Sequence, residues 1–385
     1  MSTVSWIEHD TIRTARWHSE NGSPPPARIL VVDDHLSAPA ALRLARSGTG
    51  LLWRGDFGNA RQLLHAMARR LPDRCGPSAG AAGPGALFRA TRQARSHRAV
   101  LLGRILILLE HDRSIRLRRA PDVRAAGDHA YGRPAAGSPR RMLVSLPELL
   151  GVIGAYQWHR NGIEIAALGA RVHPAYGVFA PTRGDYVDLV ARTPFPPGAD
   201  RPVAWDIGTG TGVLAAVLAR RGAREVTATD LNPRAVRCAR DNVRRLGLTR
   251  RVRVAEADLF PGDRARADLI VCNPPWLPGR PSSGLELGIY DHASGMLNRF
   301  LGGLASHLAP QGEGWLILSD LAERLGLRGR DELRCRIADA GLRVVARYQT
   351  EPRRARPVAP ADPLDRARAG ERTVLWRLGR RPGHW

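Results

Sequence analysis

Asn273, Pro274, Pro275 and Trp276 close the apolar run "ADLIVC" and set an amide, two prolines and an indole in consecutive positions. Proline fixes its own φ, carries no N–H donor and pushes the residue before it toward extended geometry. Asn273 and Trp276 therefore belong to a stiff, non-helical turn whose carbonyls no ladder consumes. Such a turn is suited to holding a polar planar group against an aromatic face.

A second stretch, "DIGTGTG" from Asp206 to Gly212, follows one apolar run and opens another. Gly208, Gly210 and Gly212 let the backbone turn tightly and come close to a ligand. Loops of this kind serve NAD, FAD and S-adenosylmethionine alike, but the G-x-G-x-G spacing departs from the dinucleotide G-x-G-x-x-G. Asp230, eighteen residues past Gly212, suits a bidentate acceptor for ribose hydroxyls, and Asp258 suits an adenine amino group. For each aspartate alone the competing reading is a helix N-cap.

These residues need elements to bring them together. "VAWD" reads as a strand ending at Asp206, "EVTATD" as one ending at Asp230, "RVRVAEAD" as one ending at Asp258 and "ADLIVCN" as one ending at Asn273. Helical runs separate them: "GVLAAVLARRG", and "NPRAVRCARDNVRRLG" with Asn232 as N-cap and Pro233 in the first turn. Strict alternation of strand and helix implies an α/β, doubly wound sheet with ligands at the carboxyl ends of its strands. Four polar residues at four successive strand ends fit that edge.

The first half is less regular. "ILVV" (Ile29 to Val32) and "TGLLWRG" read as strands, and "NARQLLHAMARRL" as a helix with Asn59 as its N-cap and Leu63, Leu64, Met67 and Leu71 on one face. "RAVLLGRILILLE" is apolar enough for a core. The opening "MSTVSWIEHDTIRTARWHSENGSPPP" is polar and expected to be loosely ordered. "GPSAGAAGPGA" and "YGRPAAGSPRR" read as a loop and a linker, "SLPELLGVIGAYQW" as a helix, and "GIEIAALGARVHPAYGVFAP" as a hairpin. The expected domains are an N-terminal α/β substrate-recognition domain over 1–130, a linker, helix and hairpin over 131–172, and a third segment over 173–385 that carries the glycine loop.

Composition narrows the chemistry. The chain has 385 residues, 43% of them hydrophobic, enough for two domains. It shows no apolar run of about 18 residues and no signal-peptide pattern, so no membrane partner is expected. Cys75, Cys238, Cys272 and Cys335 are too widely spaced for a zinc ribbon or a disulfide framework, so no metal is expected and a reducing, cytoplasmic setting fits. All 59 basic residues are arginine. The absence of lysine removes the Walker A loop, Schiff-base chemistry and a lysine base. It also removes a phosphoacceptor receiver, which "RILVVDDH" (Arg28 to His35) otherwise resembles. A net charge of +23 suits a polyanionic partner, although a total arginine bias with much Ala, Gly and Pro also reflects GC-rich coding. Arg89, Arg92, Arg95 and Arg98 recur every third residue, giving either a phosphate-tracking stripe or a solvated helix face.

Taken together, Gly208-Gly210-Gly212, Asp230, "EADLF" and "NPPW" resemble a class I S-adenosylmethionine-dependent methyltransferase of the small methyltransferase domain group. That group includes rRNA guanine-N2 enzymes and HemK-like glutamine N5-methyltransferases. The resemblance runs from about Gly162 to the C-terminus. It implies a seven-stranded class I methyltransferase sheet over 173–385, with "RTVLWRL" as an antiparallel last strand and an additional N-terminal α/β domain before it. It assigns S-adenosylmethionine to Asp206, Gly208, Gly210, Gly212, Asp230, Asp258, Leu259 and Asn273, and catalysis to Asn273, Pro274, Pro275 and Trp276. Where HemK-like enzymes carry a Pro-Arg-x-Glu-Thr pattern, this chain has "APTRGDY". Its aromatic is Trp where Tyr or Phe is commoner.

The chemistry implied is N-methylation. A planar amino nitrogen has its lone pair drawn into a π-system; Asn273 and the Pro274 carbonyl can accept its two hydrogens, while Trp276 stacks on the plane. The expected acceptor is a base of rRNA, hence RNA binding and a role in rRNA processing; the alternative is a protein glutamine. An NAD-dependent oxidoreductase or a non-catalytic adenosine-binding module is disfavoured by the glycine spacing and by the intact NPPW. The oligomeric state is open.

Overall fold

The computed structural model describes residues 2–72, 83–133, 141–262, 266–281, 285–350 and 367–382. Cys75, most of "GPSAGAAGPGA" and the body of the Tyr131–Arg141 linker fall outside them. By their contacts the described residues divide into two units, one drawn from residues 1–82 and 86–157, the other from 83–85 and 158–385.

The first unit runs β1 (Thr3–Glu8), β2 (Thr11–Trp17), β3 (Arg28–Val32), α1 (Ala38–Arg46), β4 (Thr49–Trp53), α2 (Phe57–Arg69), α3 (Pro84–Leu102), β5 (Ile105–Leu109), α4 (Arg124–Tyr131), β6 (Met142–Ser145) and α5 (Leu146–Asn161). Its six strands form one mixed sheet in the order β1-β2-β6-β5-β4-β3. β4 and β5 are buried along their whole length, as their unbroken apolar runs require of strands covered on both faces. Leu63, Leu64, Met67 and Leu71 all lie in this core.

Several expectations change here. The opening segment is not loose: β1 and β2 pair antiparallel from Thr3↔Arg16 to Glu8↔Thr11, and Val4 and Trp6 are buried. The period-2 placement of those two residues was masked by the polar composition around them. α2 begins two residues earlier than Asn59, capped by the buried Asp56, whose carboxylate accepts the Gly58 N–H at 2.8 Å. β6 lies between β2 and β5, so part of 131–172 completes the first sheet instead of linking domains.

The second unit opens on β7 (Ile163–Ile165) and β8 (Ala170–Val172), the expected hairpin. It then runs α6 (Asp185–Arg192), β9 (Val203–Ile207), α7 (Val213–Arg220), β10 (Glu225–Asp230), α8 (Pro233–Arg245), β11 (Val252–Glu256) and β12 (Ala267–Cys272). The short β13 (Leu277–Pro278) and β14 (Tyr290–Asp291) follow, then α9 (Gly295–His307), β15 (Leu308–Ser319), α10 (Leu321–Arg324), α11 (Glu332–Asp339), β16 (Leu342–Thr350) and β17 (Thr373–Arg380). Seven strands form the sheet β11-β10-β9-β12-β15-β17-β16. β17 is antiparallel to both neighbours. This is the seven-stranded class I sheet expected, with one core on each face: Leu214, Val217 and Val226 on one side, Ile270, Phe300 and Leu304 on the other. No helix among the described residues is long and apolar enough to cross a membrane.

The functional consequence is the order reversal between β9 and β12. The chain leaves β9 toward one edge and returns through β12 to the other side, which opens a crevice at their carboxyl ends. Cys272 is level with Ile207 in the ladder, so Asn273 and Gly208 emerge side by side.

Candidate active site

Asp206, the penultimate residue of β9, is 1% exposed. Its Oδ2 accepts the Thr209 hydroxyl at 2.6 Å and the Ala215 N–H at 2.9 Å, tying the start of the glycine loop to the first turn of α7. Burial raises its pKa from the ordinary 3.8 to about 6, with the Asp230 charge adding to the rise and the two hydrogen bonds opposing it. A folded-state pKa above the unfolded value favours the protonated form in the fold. The stability this confers is present below about pH 4 and lost as pH rises through about 6. Against Asp206→Asn, which stays neutral, the native protein should lose ground between those limits in denaturant unfolding. Parallel stability curves would show that Asp206 ionises as easily folded as unfolded.

The loop conformation depends on its glycines. Gly208, Gly210 and Gly212 have φ of 71°, 55° and 82°, a region that costs an L-residue roughly 1–2 kcal/mol. A Cβ at Gly212 would also press on the Ala239 Cβ at 3.2 Å, so this glycine lets α7 pack on α8. A Cβ at Gly210 would meet no heavy atom within 4 Å: the loop's outer side is open.

Asp230, at the end of β10, joins that loop to the next turn. Its Oδ2 accepts the Gly210 N–H at 2.9 Å and its Oδ1 the Asn232 N–H at 2.8 Å. Burial raises its pKa while these two bonds hold it down. Asn232 caps α8, as expected. Asn242, buried on α8, donates to the Thr211 carbonyl at 2.9 Å and accepts the His173 N–H at 2.9 Å, so it ties the glycine loop to the strand-to-helix segment after β8.

The third strand differs from expectation. β11 ends at Glu256, and Asp258 lies two residues beyond it as one half of an exposed ion pair with Arg299, at 2.6 Å. Leu259 is buried with φ of 69°, and its carbonyl accepts the Thr229 hydroxyl at 2.5 Å.

Asn273 and Trp276 are half-buried around a buried Pro274. The Trp276 indole Nε1 donates to Asn273 Oδ1 at 2.7 Å, and the ring packs against the cores on both faces of the sheet. A guanidinium missed in the sequence, that of Arg183, stands 5.0 Å from the ring centroid. It comes from "APTRGDY", where only the departure from a family pattern drew notice. Leu277 continues from the turn into β13, and its N–H reaches the Ile289 carbonyl at 3.1 Å. The next segment is thereby fastened beside the crevice.

In the first unit the arginine stripe is partly spent. Arg98 donates to the Leu71 carbonyl at 2.8 Å; outside the stripe, Arg118 and Arg119 both pair with Asp56. Arg89 and Arg95 are exposed.

Residues 169–322 match the family model described as the methyltransferase small domain. Over 69 residues the chain is 45% identical to a ribosomal protein L11 methyltransferase of Pelotomaculum thermopropionicum, covering 18% of this chain and 22% of the relative. Over 80 residues it is 46% identical to a release factor glutamine methyltransferase of Deinococcus radiodurans, covering 20% and 28%. Among solved structures, a methyltransferase from Pyrococcus furiosus aligns with a TM-score of 0.40 at 19% identity, over 59% of this chain and 96% of that one.

Proposed function

We propose that this chain, whose residues 169–322 match the methyltransferase small domain model, is an S-adenosylmethionine-dependent N-methyltransferase acting on a planar amino nitrogen, that of a base in rRNA. One observation carries the reading: Asn273 Oδ1 is held at the edge of the Trp276 ring by the indole N–H, level with the glycine loop across the β9–β12 crevice.

The residues present fit the cofactor. The open side of Gly210 leaves room for backbone approach. Asp230 stands where β10 ends and keeps its carboxylate oriented by two N–H groups, which suits ribose hydroxyls; Asp258 and Leu259 are assigned the adenine end, and Asp206 and Asn273 the flanks of the loop. S-adenosylmethionine, when bound, supplies a sulfonium methyl group for in-line displacement. The chain's part is positioning. Asn273 Oδ1 and the Pro274 carbonyl accept the two amino hydrogens, which turns the nitrogen lone pair toward the methyl group and localises it. Pro274 and Pro275 keep those acceptors from moving, and Trp276 fixes the tilt of the acceptor plane. Transfer then depends on proximity and orientation and needs no side chain with a tuned pKa.

The rRNA acceptor is supported by the net charge of +23 and by a whole additional α/β unit ahead of the methyltransferase domain. A second reading, a protein glutamine carboxamide, is supported by the relative from Deinococcus radiodurans, which is named for that activity. The same cage serves both, because base amines and carboxamides are both planar. Labelled S-adenosylmethionine, incubated with a lysate from cells lacking the gene, decides between them: nuclease-sensitive label supports RNA, protease-sensitive label the glutamine, and no label in either refutes the reading.

Two further results are expected. Asp230→Ala should weaken S-adenosylmethionine binding by roughly 1.5–3 kcal/mol, the loss of a hydrogen bond to a charged group; unchanged affinity in a folded variant, by calorimetry, removes Asp230 from the site. If Arg89 and Arg95 follow a phosphate backbone, replacing both with Gln should flatten the salt dependence of RNA affinity by about two units of log–log slope. An unchanged slope leaves them a solvated helix face.

A further inference from the structure

Arg183, beside Trp276, is also gripped by two carboxylates. Its Nη2 donates to Asp185 Oδ2 at 3.0 Å and its Nη1 to Glu371 Oε1 at 2.9 Å. Both carboxylates are buried, and each is fixed in turn: Glu371 by the Ser319 hydroxyl at 2.6 Å, Asp185 by the Thr373 hydroxyl. The guanidinium therefore cannot follow a moving ring. The indole instead sits against a cation anchored to the ends of β15 and β17, within reach of a cation–π contact.

The second link is the indole N–H bonded to Asn273 Oδ1 at 2.7 Å. An indole nitrogen only donates, whereas a carboxamide has an accepting and a donating end. Turning the Asn273 amide over would bring its NH2 against the indole N–H, two donors facing each other. The bond to Trp276 thus selects one of the two amide orientations. Phenylalanine at this position would keep the aromatic face and lack the selection.

We infer that Arg183 and Trp276 act as positioning residues, an orientation latch that keeps the Asn273 oxygen, and not its NH2, available to the acceptor amine. This rests on Asn273 being the amine acceptor, as proposed above. It assigns Trp276 a role beyond stacking and gives Arg183 a role beyond the ion pairs that hold it.

The latch has a spectroscopic test that needs neither acceptor nor cofactor. In protein labelled with 15N at the indole nitrogens, the Trp276 signal is identified by its loss in Trp276→Phe, and the other tryptophans report that each variant is folded. Asn273→Ala and Arg183→Lys, the latter retaining the charge beside Asp185 and Glu371 but not the two-armed grip, should both displace the Trp276 signal. A signal unmoved in both overturns the latch. Kinetics test its consequence. Trp276→Phe should lower kcat about fivefold, the scale of one net hydrogen bond, with KM for S-adenosylmethionine unchanged. In an Asn273→Asp background, where the two oxygens are equivalent and no wrong orientation exists, the same change should alter kcat by less than about twofold. A fivefold loss that persists in that background makes Trp276 a stacking surface only and refutes the selection. Loss of the acceptor reading itself would appear differently, as no methyl transfer by the unmodified protein while the indole signals still respond.

Discussion

Asn273→Ala should lower turnover by about a hundredfold, in line with removing one pre-organised hydrogen-bonding group, while S-adenosylmethionine still binds near its normal strength. The side chain lies one strand beyond the three whose ends carry the proposed cofactor residues, and its oxygen accepts the Trp276 indole N–H. Its oxygen is needed most as the acceptor nitrogen becomes tetrahedral, so kcat should fall more than acceptor affinity. Trp276→Ala should differ in kind, damaging acceptor KM and kcat together, because stacking a base is worth about 1–3 kcal/mol. Single-turnover rates with calorimetric cofactor binding measure both. If Asn273→Ala methylates at the normal rate, the amide is only part of a rigid turn.

Arg377→Met should destabilise the second unit by about 3–5 kcal/mol, the cost of breaking a buried ion pair from one side. Arg377 on β17 donates Nε and Nη2 to the two oxygens of Glu313 on β15, at 2.6 and 2.7 Å, and the two side chains are 8% and 6% exposed. Trp315 Nε1 adds a third donor to the same carboxylate at 3.2 Å. Methionine fills the space but leaves a desolvated carboxylate with one neutral donor. Replacing Glu313 with Met as well should recover most of the loss, since the uncompensated charge is then gone. Calorimetry should show the single variant's transition lowered by roughly 10 °C. A single variant as stable as the native protein would mean that water reaches Glu313 after all.

The glycine loop, the strand ends at Asp206, Asp230 and Asn273, and the cap at Asn232 were legible in the sequence because each is a local event. A strand's apolar run, its stop and the N-cap of the next helix lie within a few residues, where periodicity and turn chemistry act. The same signals located the class I sheet, since alternation of strand and helix admits few other arrangements. They overextended β11 to Asp258, whose partner Arg299 lies on α9.

What the tertiary structure decided was adjacency. Nothing local places β12 beside β9, yet that neighbourhood sets Asn273 level with the glycine loop. Trp6 and Val4 look isolated in a polar opening until β2 pairs with β1. Arg98 belonged to a regular stripe until the Leu71 carbonyl, just past α2, claimed it, and Arg183 acquired its place over Trp276 only when the start of β17 brought Glu371 and Thr373 to its guanidinium. Residue type and spacing determine which groups a segment offers. Which offered groups meet depends on packing between segments far apart in the chain, and for charged and aromatic side chains, whose partners act through space, that packing decides the role.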